Sequence, residues 1–302
     1  LVGGMWVANL YYWGFNQYII QRTLAAKSLK EAQKGILLAA FLKLLIPLIV
    51  VVPGIAAYVM VNDPELLGRL GEAGLQNLPS VGQADRAYPW LLQFLPTGLK
   101  GVAFAALTAA IVSSLASMVN STSTIFTMDI YKQYFNKNAG DKATVNMGRI
   151  SATVALIIAG IMAPLLGEID QAFQFIQEYT GIVSPGILAI FLLGLFWKKT
   201  TNKGAIRGAL TSIPIAMYFK VAPKGWSNNP IFVDVPFLDQ MGYTAVLTMI
   251  VIIFVSLTEN KGKDDVKGIS FAKNLFKTSP TFNIGACAGM LISVMLYALF
   301  WK

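Results

Sequence analysis

Residues 35–61 read GILLAAFLKLLIPLIVVVPGIAAYVMV, and Lys43 carries the only charge in this stretch. About 20 consecutive apolar residues are enough for a helix to cross a bilayer. The stretch is therefore predicted to be a membrane-spanning helix. Similar apolar runs predict seven further spans, at residues 1–22, 97–130, 146–167, 171–196, 204–222, 242–258 and 282–301.

The composition supports the same class of protein. Hydrophobic residues make up 55% of the 302 residues and charged residues 13%, whereas a soluble domain has about 25% charged residues. The high apolar content excludes a disordered protein. The single cysteine, Cys287, excludes an internal disulfide, and the lack of histidine excludes imidazole proton relays and histidine-ligated metals. The chain is predicted to be an all-α polytopic membrane protein.

The net charge of +9 is distributed unevenly between the loops. With strict alternation of the eight spans, 17 basic residues lie on one side of the membrane and 6 on the other. The positive-inside rule makes the richer side cytoplasmic. The C-terminus is then outside and residues 259–280 form a cytoplasmic linker. In the longest outer loop, Asp63 is predicted to cap a short helix that begins at Pro64.

The first span contains an unusual run of polar and aromatic side chains, including Asn9, Tyr12 and Trp13. Glycines at positions 3, 4 and 14 weaken a continuous helix here. A broken helix is tolerated in a membrane where its backbone lines a cavity or is buried in protein. The alternative is an amphipathic end of a span with interfacial aromatic residues.

Two other spans carry polar groups that need a reason, because such groups are costly in lipid. Lys43 lies in the middle of the second span, and it either faces the bundle interior or reaches the interface along its own stem. Gln177 and Glu178 precede Pro185 in the fifth span, where they line a cavity beside a helix break or lie at a wet outer interface. Amide and ammonium donors in the bilayer midplane suggest a small, hydroxyl-rich ligand. Aromatic rings such as Tyr12, Trp13 and Phe173 would pack against the C–H face of a sugar.

The third span places Ala110, Ser113 and Ser114 at helical spacings of three and four residues. The Ala110 carbonyl and the two hydroxyls would converge, and oxygen atoms are the ligands that hard cations prefer. This is the pattern of half a sodium site. The alternative is that each serine bonds to a carbonyl of the preceding turn and the small residues allow close helix packing.

Several longer motifs resemble the sodium/solute symporter family, and within it the bacterial sodium/glucose and sodium/galactose branch. They are LYYWGFNQ at 10–17, QRTLAAK at 21–27, SSLASMVNSTSTIFTMDIY at 113–131, FIQ at 175–177 and FLLGLFWK at 191–198. The resemblance covers nearly the whole chain. It implies the five-plus-five inverted-repeat fold shared with amino-acid symporters.

In that fold, residues 1–196 would be the second inverted repeat, with its first and fifth spans broken, and residues 197–302 would be peripheral helices. The first repeat, with further ligands for sodium and sugar, would be a missing N-terminal part of the same protein. The resemblance implies site roles by position: Asn9, Lys43 and Gln177 bind sugar, Tyr12 with Trp13 forms an inner gate, Phe173 an outer gate, and Ala110, Ser113 and Ser114 bind sodium. Glu178 receives no role.

The implied activity is sodium-coupled symport of galactose or glucose by alternating access in the bacterial inner membrane, by a protein that could form homodimers. Sodium is the coupling ion. The alternatives are a sodium symporter for a non-sugar solute, such as an amino acid, or a membrane sensor of the same fold. No catalytic constellation points to an enzyme, and the isolated polar patches do not make a continuous channel.

Overall fold

A computed structural model describes residues 3–80, 83–166, 172–223, 235–270 and 277–300. These residues form helices joined by turns, with no strand among them, which confirms the predicted all-α polytopic class. The helices are α1 (Gly4–Gly14), α2 (Gln17–Leu24), α3 (Leu29–Lys43), α4 (Ile46–Asn62), α5 (Pro64–Arg69), α6 (Gly71–Leu75), α7 (Ala87–Leu92), α8 (Thr97–Ile125), α9 (Asp141–Leu166), α10 (Ala172–Phe196), α11 (Asn202–Val221), α12 (Phe237–Glu259) and α13 (Pro280–Phe300). A π-helix, Phe126–Phe135, continues α8, and a 3-10 turn, Ala84–Arg86, precedes α7.

Within the described ranges, six segments are long and apolar enough to cross a membrane. They are Leu29–Asn62, Thr97–Phe135, Asp141–Leu165, Phe173–Phe196, Phe237–Glu259 and Pro280–Phe300. Two of the eight predicted spans are not in this set. The first, at 1–22, consists of two short helices, and the sixth, at 204–222, is α11, which carries Arg207 and Lys220 near its ends.

The predicted interruptions have different outcomes. The first span does break, because α1 ends at Gly14 and α2 begins at Gln17. The second span is interrupted between α3 and α4, where Pro47 has no N–H to donate to the Lys43 carbonyl four residues earlier. The fifth span differs from the prediction: α10 is one continuous helix with Pro185 inside it. Pro185 is fully buried, and the neighbouring Gly186 lies against Ser212 of α11, so the helix is held by its packing at the position of the proline.

The predicted cap in the long loop between the second and third spans is confirmed. The Asp63 carboxylate accepts hydrogen bonds from the backbone N–H groups of Glu65 at 2.9 Å and Leu66 at 3.3 Å, and Pro64 begins α5. The buried Trp90 ring donates to the Gly74 carbonyl at 3.1 Å, which holds the short helices of this loop to one another. The loop is therefore a folded element.

The chain divides into two compact units. One comprises Leu1–Ile20 with Phe173–Lys277, and the other comprises Gln21–Ala172 with Thr278–Lys302. This division by packing does not follow the boundary at residue 196 that the resemblance implies, so the assignment of the second repeat stays a prediction. The two units are described separately below.

The first unit is built around the helix pair α11 and α12. Gly204 and Gly208 lie against Ser256 and Ile252 of α12, where there is no room for a Cβ atom. A small apolar core joins α1, α10 and α12 through Val7, Leu188, Met241 and Ala245. The turn after α12 folds back, and the Asp265 N–H donates to the Lys198 carbonyl at 2.9 Å. Residues 271–276 of the predicted linker lie outside the described residues.

The second unit pairs α8 with α9 and α3 with α13. The Ser123 hydroxyl donates to the Gly148 carbonyl at 2.7 Å, which joins α8 to α9. The backbone N–H of Ser279 donates to the side-chain oxygen of Gln33 at 3.2 Å, which joins the start of α13 to α3. These polar contacts fix the register of helices whose outer faces are apolar.

Candidate functional site

The break between α1 and α2 holds an aromatic cluster. The rings of Tyr12 and Trp13 are 5.2 Å apart at 81°, and those of Tyr12 and Tyr18 are 5.9 Å apart at 79°. The Tyr12 and Tyr18 hydroxyls are also hydrogen-bonded across the break. Edge-to-face pairs of this kind add about 0.5–1.5 kcal/mol beyond the area they bury. Tyr12, the predicted inner-gate residue, therefore ties α1 to α2.

Asn9 lies one turn before this cluster on α1. Its side-chain amide donates to the Met5 carbonyl of the same helix at 2.9 Å, and the side chain is exposed on its unit. One N–H of the amide is thus used within the helix. Among the residues that the structure describes, the amide oxygen accepts no hydrogen bond.

The helix α10 carries two predicted site residues on one face. Phe173 and Gln177 are four residues apart, so both lie on the same side of the helix. Both are exposed, Phe173 with 74% of its surface accessible. Further along α10, Ser184, Pro185 and Leu188 are each at most 2% exposed. The two candidate residues thus lie in the exposed N-terminal part of the helix, before its buried part.

Lys43 is the last residue of α3 and lies at the bend before α4. Pro47 has no N–H to donate to the Lys43 carbonyl, so the helical hydrogen-bond pattern is interrupted here. Leu44 and Leu45 tighten the turn by donating to Phe41 and Leu42. The residue thus joins a side-chain cation to an irregular backbone within an apolar segment, a combination that marks functional positions in membrane proteins.

Ala110, Ser113 and Ser114 lie within one helical turn of α8 and are exposed on their unit. The side chains of Thr108 and Ser117 donate to the carbonyls of Phe104 and Ser113, each at 2.9 Å. In the part of the chain that the structure describes, the hydroxyls of Ser113 and Ser114 form no such bond. Their oxygens are therefore available to a ligand, in contrast to the back-bonded arrangement that the sequence left open.

The turn of α8 that follows Ser114 is held in place by hydrogen bonds from α2. Arg22 hydrogen-bonds the Ser117 hydroxyl, and the Gln21 amide donates to the Ser117 carbonyl at 3.2 Å. Asn120 closes the network by donating to the Gln21 side chain at 3.0 Å. Ser117 itself is 7% exposed. This network fixes the part of α8 adjacent to the candidate sodium ligands.

The structure brings the predicted residues together in three local groups, Asn9 with Tyr12 and Trp13, Phe173 with Gln177, and Ala110 with Ser113 and Ser114. Sequence reasoning missed Tyr18, Arg22 and Lys220 as partners. Tyr18 stands in the same aromatic run as Tyr12 and could have been found from it. The partners of Ser117 and Glu178 are 95 and 42 residues away in the chain, and no local signal pairs them.

Comparisons with known proteins give a consistent result. The profile of the sodium:solute symporter family matches residues 2–212. The sodium/glucose cotransporter of Vibrio parahaemolyticus is 62% identical over 301 residues, which are 100% of this chain and 54% of that protein. The human sodium/myo-inositol cotransporter 2 is 32% identical over 89% of the chain and 42% of its own length. The chain thus spans about half the length of these relatives, whose names are those of transporters rather than enzymes.

Proposed function

The chain belongs to the sodium:solute symporter family, and from this premise we propose that its parent protein couples the entry of sodium to the uptake of a hexose. The 62% identity to a sodium/glucose cotransporter, over 100% of this chain and 54% of that protein, supports the coupling and the substrate class. The observation that carries the proposal structurally is the set of oxygens on α8. Within the described residues, the Ser113 and Ser114 hydroxyls form no hydrogen bond. The Ser117 hydroxyl, one turn further along α8, does form one, to the Ser113 carbonyl.

Sodium is proposed to bind to the Ala110 carbonyl and the hydroxyls of Ser113 and Ser114. These are neutral oxygen ligands, which suit a hard monovalent cation that must bind and leave in each cycle. Further ligands would come from the first inverted repeat that the resemblance implies. The Arg22–Ser117 contact would support the site by holding the next turn of α8.

The sugar is proposed to be held by Asn9, Lys43 and Gln177 through hydrogen bonds to its hydroxyls. Tyr12 with Trp13 would close the path to the inside, and Phe173 would close it to the outside. Galactose and glucose are the first candidates. The names of the myo-inositol cotransporters favour a cyclic polyol as the second.

Transport requires that sodium prefer one conformation, because a ligand with equal affinity for two states shifts neither. We propose that sodium favours the outward-open state, that sugar then binds beneath Phe173, and that rocking of the two repeats opens the gate at Tyr12. The location would be the bacterial inner membrane, with the C-terminus outside, and the parent protein could assemble as a homodimer.

The test is uptake of labelled galactose into liposomes that contain the intact parent protein, with and without a sodium gradient. In Ser114→Ala, the sodium concentration for half-maximal uptake should rise by about tenfold, as expected when one polar contact to a charge is lost. In Gln177→Ala, the half-saturating sugar concentration should rise by about tenfold, as for a lost hydrogen bond in a polar site. Unlabelled glucose and myo-inositol as competitors would rank the substrates.

The matched control is Thr108→Val, which removes a hydroxyl of α8 that already bonds to its own helix. Its sodium activation should equal that of the unmodified protein. Unchanged sodium activation in Ser114→Ala would show that the ion-site assignment is wrong. Uptake that needs no sodium gradient would indicate a facilitator instead of a symporter.

A further inference from the structure

Glu178 and Lys220 form an ion pair between the outer parts of α10 and α11. The carboxylate oxygen of Glu178 is 3.2 Å from the Lys220 ammonium nitrogen. The same nitrogen lies 3.9 Å from the centre of the Tyr179 ring. The side chains of Lys220 and Glu178 are 26% and 38% exposed, so the pair is more buried than a surface ion pair. Both residues line a small pocket with Gln240 and Thr244 of α12.

The pair joins α10 to α11, and Glu178 is the chain neighbour of Gln177, the proposed sugar contact. Glu178 follows Gln177 in the chain, so their side chains point about 100° apart around the helix axis. Later in the same helix, Gly181 lies against Met241 of α12 and Gly186 against Ser212 of α11. Because both residues belong to the same helix, the interactions that hold Glu178 in place also fix the direction in which the Gln177 side chain points.

The inner half of α10 is held in its orientation without an ion pair. Ser184, Pro185, Leu188 and Ala189 are all at most 2% exposed, and this dense packing prevents rotation. The outer half is different, because most of its side chains between Phe173 and Thr180 are exposed. Pro185 also has no N–H to donate to the Gly181 carbonyl, so the helix can bend between the two halves.

We propose that the Glu178–Lys220 ion pair is a positioning device for substrate recognition, which holds the outer half of α10 against α11 and so fixes the directions of Gln177 and Phe173. The inference rests on the proposed function of these two residues. Tyr179 adds to the device, because its ring holds the ammonium group from a second side. Glu178 and Lys220 are positioning residues and do not themselves contact the sugar.

The first test measures uptake by the intact parent protein in liposomes. Neutralisation of either partner, in Glu178→Gln or Lys220→Met, should raise the half-saturating sugar concentration about three- to tenfold, the range for a partly buried ion pair. The sodium concentration for half-maximal uptake should stay unchanged. The double variant should be no worse than either single variant, and the exchange of charges in Glu178→Lys with Lys220→Glu should restore at least part of the sugar affinity.

The matched control is Lys203→Met. Lys203 lies at the other end of α11 and pairs with Glu259 of α12 at 3.0 Å. Loss of this pair should leave the half-saturating sugar concentration unchanged. Additive effects of Glu178→Gln and Lys220→Met, or an equal effect of Lys203→Met, would overturn the proposal.

A second measurement separates this inference from the proposed sugar site. Spin labels at Thr180 and Val246, both exposed within the same unit, report the distance between the outer part of α10 and α12. The distance distribution should broaden in Glu178→Gln and stay narrow in Lys203→Met. If it broadens while Gln177→Ala leaves uptake unaffected, the positioning role holds and the sugar role of Gln177 fails. If it does not broaden, the positioning role fails whatever Gln177 does.

Discussion

Gly3 and Gly4 are equivalent in the sequence but have different surroundings in the fold. A Cβ atom on Gly4 would overlap the backbone of Leu238 at the start of α12, whereas a Cβ on Gly3 would have no neighbour within 4 Å. We expect Gly4→Ala to lower the free energy of unfolding of the intact protein by about 1–3 kcal/mol, because backbone atoms cannot yield as a flexible side chain can. Thermal unfolding in detergent measures this loss.

Gly3→Ala is the control for that substitution and should leave the unfolding temperature within experimental error of the unmodified protein. Equal effects of the two changes would show that α1 does not approach α12 so closely. From the sequence, both glycines were predicted to weaken a continuous helix. Only Gly14 behaves that way, since it ends α1. A close approach between helices far apart in the chain leaves no local trace in the sequence, and for this reason the role of Gly4 was not predicted.

At the scale of elements, Thr201 decides where α11 begins. Its hydroxyl accepts a hydrogen bond from the Gly204 N–H at 3.0 Å, and its own N–H donates to the Ser256 hydroxyl of α12 at 3.1 Å. We expect Thr201→Val to lower the unfolding free energy by about 1 kcal/mol, because it removes the cap and keeps the shape of the side chain. The measurement is thermal unfolding of the purified protein in detergent.

The conservative change Thr201→Ser retains the hydroxyl and should restore most of that stability. If serine and valine are equally destabilising, the cap bond is not what the residue contributes. Caps and breaks of this kind are local, and several were predictable: Asp63 begins α5 as expected, and the first span breaks after Gly14. The expected break at Pro185 failed because helices distant in sequence pack around the proline and keep α10 continuous.

For the whole molecule, the charge distribution between loops predicts which segments face which side of the membrane. In an otherwise cysteine-free parent protein with Cys287→Ser, a cysteine at Asn138 should react with a membrane-impermeant maleimide only from the cytoplasmic side. A cysteine at Gln76 should react only from the opposite side, because the loops that hold these residues differ in basic content. Labelling of intact cells and of inside-out vesicles makes the comparison.

Reaction of both cysteines from the same side would contradict the alternation of spans and the external C-terminus. The class of the protein was predictable because composition and apolar run length are properties of the whole chain. Six of the predicted spans were found among the described residues. The division into two units was not predictable, because it depends on contacts such as that of Gly4 with Leu238.

The closely fitted seam between α11 and α12 has a mechanical consequence. Gly204 and Gly208 recur at an interval of one turn along α11, and each receives an α12 side chain, so neither helix can slide past the other without a collision. The two helices are therefore expected to move together as one rigid unit. With 20 residues, α11 is about 30 Å long. A displacement at the Lys220 end of α11 would therefore also move the end beside Thr201, and α12 would follow through the seam.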